Sequence, residues 1–181
     1  MKVSQTELTG VLIVEPDVFG DSRGFFMESW NQRRYGEQGV PTEFVQDNLS
    51  RSGKGILRGL HFQNPNPQGK LVSVLDGEVY DVAVDLRRES KTFGKWWGTT
   101  LSSVDKRQLY LPPGFAHGFC VLSESCLFHY KCTGYYDPKS EITLLWNDPE
   151  IGIQWPIEAP VLSEKDRKGL KLSEIPKERL F

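Results

Sequence analysis

Leu71-Val72-Ser73-Val74-Leu75-Asp76-Gly77-Glu78-Val79-Tyr80-Asp81-Val82-Ala83-Val84-Asp85-Leu86 joins two β-rich runs through an Asp-Gly step. From Glu78 to Leu86 the residues alternate, which puts Tyr80, Val82, Val84 and Leu86 on one face of a strand. Apolar alternation on both sides of Asp-Gly predicts a hairpin turning at Asp76-Gly77. The same strand pattern recurs downstream at Gln108 to Leu111, Gly118 to Leu122, Cys126 to Thr133 and Ile142 to Trp146, each bounded by Gly, Pro, Asp, Asn or Ser. Many short strands at close spacing predict an all-β sandwich or barrel. Helix signals are few: a short segment within Trp30 to Gly39, and Ser163-Glu164-Lys165-Asp166, which has the form of a capping box. From Lys168 onward charges mix with scattered Leu and Ile, as expected of a solvated or packed surface segment and not of a binding arm.

With 181 residues, no internal repeat and no low-complexity linker, the expectation is one domain spanning 1–181. A chain of this length buries roughly 70 % of its unfolded surface, enough for a core and a concave site. The net charge of -2 gives no whole-molecule attraction to nucleic acid or to an anionic membrane, so any anion site must be local. The longest apolar run near the N-terminus, Val11 to Val14, ends at Glu15-Pro16 and is too short for a signal peptide or a membrane span. Cys120, Cys126 and Cys132 lie in strand-like stretches without CxxC spacing. They read as buried free thiols in a reducing compartment, and a cytoplasmic location is expected.

Only three histidines are available for acid/base or metal chemistry: His61, His117 and His129. Pro112-Pro113-Gly114-Phe115-Ala116-His117 has the P-x-G-x-x-H spacing of the second cupin motif, and Arg58-Gly59-Leu60-His61-Phe62-Gln63 lies where the first motif would be. A metal-binding cupin needs three or four ligands, usually an H-x-H step and a following carboxylate. Here the second His of that step is Gln63, and Asn64-Pro65-Asn66-Pro67-Gln68 holds no Glu. No metal and no other cofactor is expected.

The sequence resembles the dTDP-4-dehydrorhamnose 3,5-epimerase family of L-rhamnose biosynthesis. The resemblance is carried by Phe19-Gly20-Asp21-Ser22-Arg23-Gly24-Phe25-Phe26, Phe44-Val45-Gln46-Asp47-Asn48, Leu57-Arg58-Gly59-Leu60-His61, Gln68-Gly69-Lys70-Leu71-Val72, Leu111-Pro112-Pro113-Gly114-Phe115-Ala116-His117-Gly118-Phe119 and Trp146-Asn147-Asp148-Pro149, in that order. Six ordered blocks are far more specific than one short motif. It implies a cupin-type double-stranded jelly-roll barrel with a few short peripheral helices, acting as a homodimer on a dTDP-linked 4-keto-6-deoxy hexose. The C4 ketone acidifies the protons on C3 and C5, so the electron sink is in the substrate, and the protein must supply a base, an acid and enolate stabilisation.

By resemblance His61 is the base, Asp166 its carboxylate partner and Tyr130 the proton donor. Asp166 also sits where a capping-box carboxylate would, and the sequence leaves both roles open. Strand alternation puts Phe128, Tyr130 and Cys132 on one face and His129 on the other, so His129 is read as structural. Lys70 and His117 match positions near the sugar or phosphates, with Lys70 suited to the enolate oxygen. Arg23 and Arg58 match the diphosphate-binding arginines, whose guanidinium forks suit phosphate oxygens. Glu28, Gln46, Asp47, Asn48, Glu141 and Lys165 match substrate contacts, and Tyr136 matches an aromatic that stacks on thymine. The alternatives are a single-centre 3- or 5-epimerase, a 3,4-ketoisomerase, a non-catalytic sugar-nucleotide-binding cupin and a metal-dependent dioxygenase. The combination of His61, Asp166 and Tyr130 argues against a binding module, and the missing ligands argue against the dioxygenase.

Overall fold

The computed structural model describes residues 1–41 and 43–181. Its strands are β1 (Lys2–Gln5), β2 (Leu12–Glu15), β3 (Val18–Asp21), β4 (Gly24–Met27), β5 (Gln46–Gly53), β6 (Leu57–Gln63), β7 (Lys70–Asp76), β8 (Glu78–Asp85), β9 (Trp96–Ser102), β10 (Gln108–Leu111), β11 (Phe115–Val121), β12 (Ser125–Cys132) and β13 (Glu141–Thr143). The helices are α1 (Gln32–Glu37) and α2 (Glu164–Arg167). A six-stranded sheet runs β1-β2-β10-β7-β12-β5 and a five-stranded sheet β13-β6-β11-β8-β9, while β3 and β4 form a separate hairpin. The fold is a cupin-type jelly roll, as the sequence implied.

The two sheets enclose a core. Val72, Val74, Leu109, Leu111 and Phe128 from the larger sheet meet Val79, Ala83, Leu101, Phe115 and Phe119 from the smaller one. Their apolar surface leaves water on closure, which drives the two layers together. Phe119 and Phe128 stack across the gap at 4.0 Å with an interplanar angle of 17°. On the far side of the smaller sheet, Tyr80, Val82, Val84 and Leu86 form the apolar face read from the sequence. Leu172, Ile175, Leu180 and Phe181 pack on that face, so the mixed-charge tail is a packed segment.

The Asp76-Gly77 hairpin expected from the sequence does not form. β7 is flanked by β10 and β12, so both its edges are occupied, and β8 pairs with β11 and β9 in the opposite sheet. The chain crosses between sheets at Gly77, which adopts φ 84°. A Cβ there would fall 2.1 Å from the Ser125 carbonyl oxygen, where β12 begins, so only glycine fits this corner. The other predicted strands are present with ends shifted by up to three residues, the last of them shortened to Glu141–Thr143. All three cysteines are buried and free. Among the described residues no helix is long and apolar enough to cross a membrane.

Candidate active site

A cavity of about 780 Å³ opens into the barrel, lined from both sheets and from the segment that leads into α2. His61 projects from β6 on one wall, and Tyr130 projects from β12 on the other. Strand alternation produces this split. Phe128 and Tyr130 line the cavity, whereas His129 points away, with Nε2 3.6 Å from Asp47.

The shortest side-chain contact to either cavity imidazole joins His61 Nε2 to Asp166 Oδ1 at 2.6 Å, across 105 residues of sequence. Of the two roles the sequence left open for Asp166, the carboxylate takes the one on His61; the capping box is only half formed, since the carboxylate accepts from the Ser163 hydroxyl and not from the Ser163 N–H. The Asp166 backbone N–H donates to the Ser163 hydroxyl, which caps α2 at 3.1 Å, while Ser163 Oγ donates to Asp166 Oδ2 at 2.8 Å. Burial pushes the Asp166 carboxyl up, but the hydrogen bond and charge of His61 and the Ser163 hydroxyl outweigh it, so the group is held below its ordinary value. It stays ionised and fixes Nε2, leaving Nδ1 as the nitrogen for proton transfer. That nitrogen lies 4.0 Å from Glu141 Oε1.

Glu141 is itself held by two neighbours. Lys165 Nζ donates to both its oxygens at 3.0 Å, and the Tyr136 hydroxyl donates to Oε2 at 3.0 Å. Burial raises the Glu141 carboxyl, and Lys165, His61 and Tyr136 together bring it below the usual value. Burial raises the Tyr130 phenol, which keeps it a protonated donor at neutral pH. Burial lowers the Lys70 ammonium, against the opposing pull of Cys132, Glu141 and Asp81. Arg58 donates from Nε to Ser52 Oγ at 2.8 Å, which orients its guanidinium.

Of the residues singled out in the sequence, His61, Tyr130, Asp166, Gln46, Asn48, Arg58, Lys70, His117, Tyr136, Glu141 and Lys165 all line this cavity. Three do not. Asp47 lies between Gln46 and Asn48 on β5, and since successive side chains alternate, it faces outward and pairs with Lys131 at 2.8 Å. Arg23 sits on the exposed β3–β4 turn, where it pairs with Asp21. Glu28 accepts from Asn31 at 3.0 Å and lines a second cavity of about 500 Å³ beside α1. Sequence reasoning missed the role of Gln63. Its amide donates to the Asn66 and Tyr135 carbonyls and accepts from the Asp137 N–H, which pins the loop carrying Tyr136. The residue that takes the place of a metal ligand is thus a loop anchor. Among the described residues no three His, Cys, Asp or Glu side chains cluster so as to hold a metal ion.

The family model described as dTDP-4-dehydrorhamnose 3,5-epimerase matches residues 5–174. This chain belongs to that family. It is 57 % identical over 173 residues to the dTDP-4-dehydrorhamnose 3,5-epimerase of Shigella flexneri, covering 94 % of this chain and 96 % of the relative. It superposes with a TM-score of 0.96 on the dTDP-6-deoxy-D-glucose-3,5-epimerase of Legionella pneumophila in complex with dTDP-4-keto-L-rhamnose, at 52 % identity over 99 % of this chain and 96 % of that one. A less similar relative, 40 % identical over 96 % of this chain and 85 % of its own, is the dTDP-4-dehydrorhamnose 3-epimerase of Streptomyces niveus. The chain is an epimerase, and hence an isomerase.

Proposed function

We propose that this chain converts dTDP-4-dehydro-6-deoxy-D-glucose to dTDP-4-dehydro-L-rhamnose by proton exchange at C3 and C5. The observation that carries the mechanism is the 2.6 Å His61–Asp166 contact on one wall of a cavity whose opposite wall presents Tyr130. His61 Nδ1 takes the proton from carbon, and the C–H electron pair moves to the C4 oxygen as an enolate. Lys70 stabilises that charge in a partly desolvated setting where a cation counts for more than in water. Tyr130 then delivers its hydroxyl proton to the opposite face, the pair returns to carbon with inverted configuration, and the phenolate recovers a proton. Arg58 and Lys165 supply charge for the diphosphate, and Tyr136 a stacking face for the base.

The same reading includes a cytoplasmic homodimer whose 1–181 chain is one catalytic unit, with no cofactor. Support for a dimer comes from the β3–β4 hairpin, whose Phe19, Phe25 and Phe26 are 64 %, 58 % and 70 % exposed. Aromatics this exposed on one short arm suit burial against a second copy. Such packing is also how Arg23 at its tip would reach a diphosphate in a partner's cavity, and how the resemblance and the exposed position are reconciled.

The decisive experiment is incubation with the 4-keto-6-deoxy sugar nucleotide in D₂O, read by NMR. Deuterium at both C3 and C5 with inversion at both is expected. Inversion at C3 alone would make the chain a 3-epimerase like its Streptomyces niveus relative, and carbonyl migration to C3 would make it a ketoisomerase.

A further inference from the structure

The cavity contains a second His–Asp pair that the mechanism above leaves unexplained. His117 on β11 lies directly across from His61 on β6, as register partners in the smaller sheet. Its Nε2 is 2.9 and 3.0 Å from the two oxygens of Asp81 on β8. Asp81 has no solvent exposure, and among the described residues His117 is the only side chain hydrogen-bonded to it. It interrupts the otherwise apolar strand Val79-Tyr80-Asp81-Val82-Ala83-Val84. A carboxylate buried in such a strand is costly unless it is paired and hydrogen-bonded, and His117 is the side chain that pairs with it.

The imidazole is fixed on a second side by Phe128, which stacks on it at 6.2 Å and 24°. Nδ1 has no protein partner among the described residues and is not sealed off, so it opens into the cavity that His117 lines. The charged and titratable groups around the pair are Asp81 on β8, His61 on β6, and Lys70 on β7, which acts on Asp81 electrostatically.

We infer that Asp81 is a positioning residue: it holds His117 so that Nδ1–H is a fixed donor aimed at the C4 oxygen as it becomes an enolate, on the same oxygen as Lys70. The inference rests on the epimerase reading of the cavity. One shared proton between Asp81 and Nε2 is what the arrangement requires. Placed on nitrogen it makes an imidazolium beside a carboxylate, and placed on Asp81 it makes an acid donating to Nε2. Nδ1 donates when the pair holds a second proton there, and with one proton alone, on Nε2, Nδ1 would carry only a lone pair, the state that nitrogen-15 NMR separates. Burial raises the Asp81 carboxyl, against the opposing pull of His117 and Lys70, which favours keeping that proton. The two dyads thus divide the work: His61, with Nε2 fixed by Asp166, accepts a proton from carbon at Nδ1, and His117 donates a hydrogen bond to the oxygen without giving up its proton.

Asp81→Asn, His117→Asn and the double variant test this. Removing one donor to a developing oxyanion costs on the order of 10²-fold in kcat. Each single variant should show such a loss, the double variant should be no slower than the worse single, and affinity for dTDP, which has no keto group, should be unchanged in all three. Wild-type kcat in Asp81→Asn, losses that multiply in the double variant, or a parallel loss of dTDP affinity would overturn the inference, the last by showing a merely structural role. Nitrogen-15 NMR of the wild-type imidazoles covers the case in which Asp81→Asn fails to fold. His117 should show a protonated Nδ1, and a lone-pair signature there sinks the idea. A wild-type protein inactive on every 4-keto sugar nucleotide would instead remove the epimerase reading, and with it the oxygen this donor serves.

Discussion

Asp85 and Asp166 are both buried aspartates with several hydrogen bonds, yet the kinds of partner they have differ. Among the described residues the carboxylate of Asp85, at the end of β8, draws its partners from the next seven residues. Arg87 donates from Nε and Nη2 at 2.9 and 2.7 Å, and the Ser90 and Thr92 hydroxyls donate at 2.6 Å each. Asp166 takes a local hydroxyl from Ser163 and spends its other oxygen on His61, 105 residues away. None of the Asp85 partners changes charge near neutral pH, so that carboxylate closes a loop and has no chemistry left to do. The Asp166 partner is an imidazole, the one side chain whose ordinary titration falls near neutrality, and it faces a cavity. A buried carboxylate is functional when what it holds can itself titrate and reach a ligand.

The comparison is sharpened most by removing the imidazole. His61→Ala should lower epimerisation by about 10²- to 10⁴-fold, the usual contribution of a general base, and abolish solvent exchange at both carbons while dTDP still binds. Asp166→Asn should fall within the same range, because it acts only through His61, and the double variant should lose little more. Rates measured in D₂O by NMR, with dTDP affinity by calorimetry, check both. Parent-rate exchange in His61→Ala would make this dyad as structural as the Asp85 cluster.

Tyr130→Phe should have a smaller and more selective effect. It keeps the ring against Phe128 and removes only the hydroxyl on the wall opposite His61. Exchange should then continue while inversion fails, so recovered substrate carries deuterium with retained configuration. Near-normal inversion would mean that another donor serves, and loss of exchange with binding intact would mean that Tyr130 takes part in deprotonation. Tyr135→Phe and Tyr136→Phe should leave exchange and inversion coupled.

The sequence was legible where a local rule carries across the fold. Alternation on β12 separated Tyr130 from His129, and alternation on β8 gave the Tyr80, Val82, Val84 and Leu86 face. Applied to Gln46-Asp47-Asn48, the same rule would have excluded Asp47. The Asp76-Gly77 turn misled because a tight turn fixes the direction of the chain but not the partner of the next strand, which long-range pairing decided. Asp81 and the anchoring role of Gln63 were overlooked for a related reason. A polar residue in an apolar strand is visible in the sequence, but its partner is 36 residues away for Asp81 and, for Gln63, a loop 72 to 74 residues away. Arg23 and Glu28 were read from a resemblance, which does not say whether a residue serves the cavity of its own chain.

The smallest expected effect falls on the Asp85 cluster, and it concerns stability alone. Burial pushes the Asp85 carboxyl up, but the donors from Arg87, Ser90 and Thr92 bring it from 3.8 to about 2. A carboxylate that binds its proton more weakly when folded stabilises the fold at every pH above its unfolded value, by roughly 2 kcal/mol here. That contribution is complete above pH 3.8 and is lost as the pH falls toward about 2. Asp85→Asn keeps the shape but removes the charge, so it should cost roughly 2 kcal/mol at neutral pH, or about 4–8 °C in Tm for a chain of this size. The variant should also show a flatter decline in stability through the acid window. Its kcat at 25 °C should match wild type, since no cluster residue lines the cavity. Thermal melts at neutral and acid pH, beside one activity assay, check all three expectations. A loss of kcat with stability intact would place this loop in communication with the site and break the contrast with Asp166.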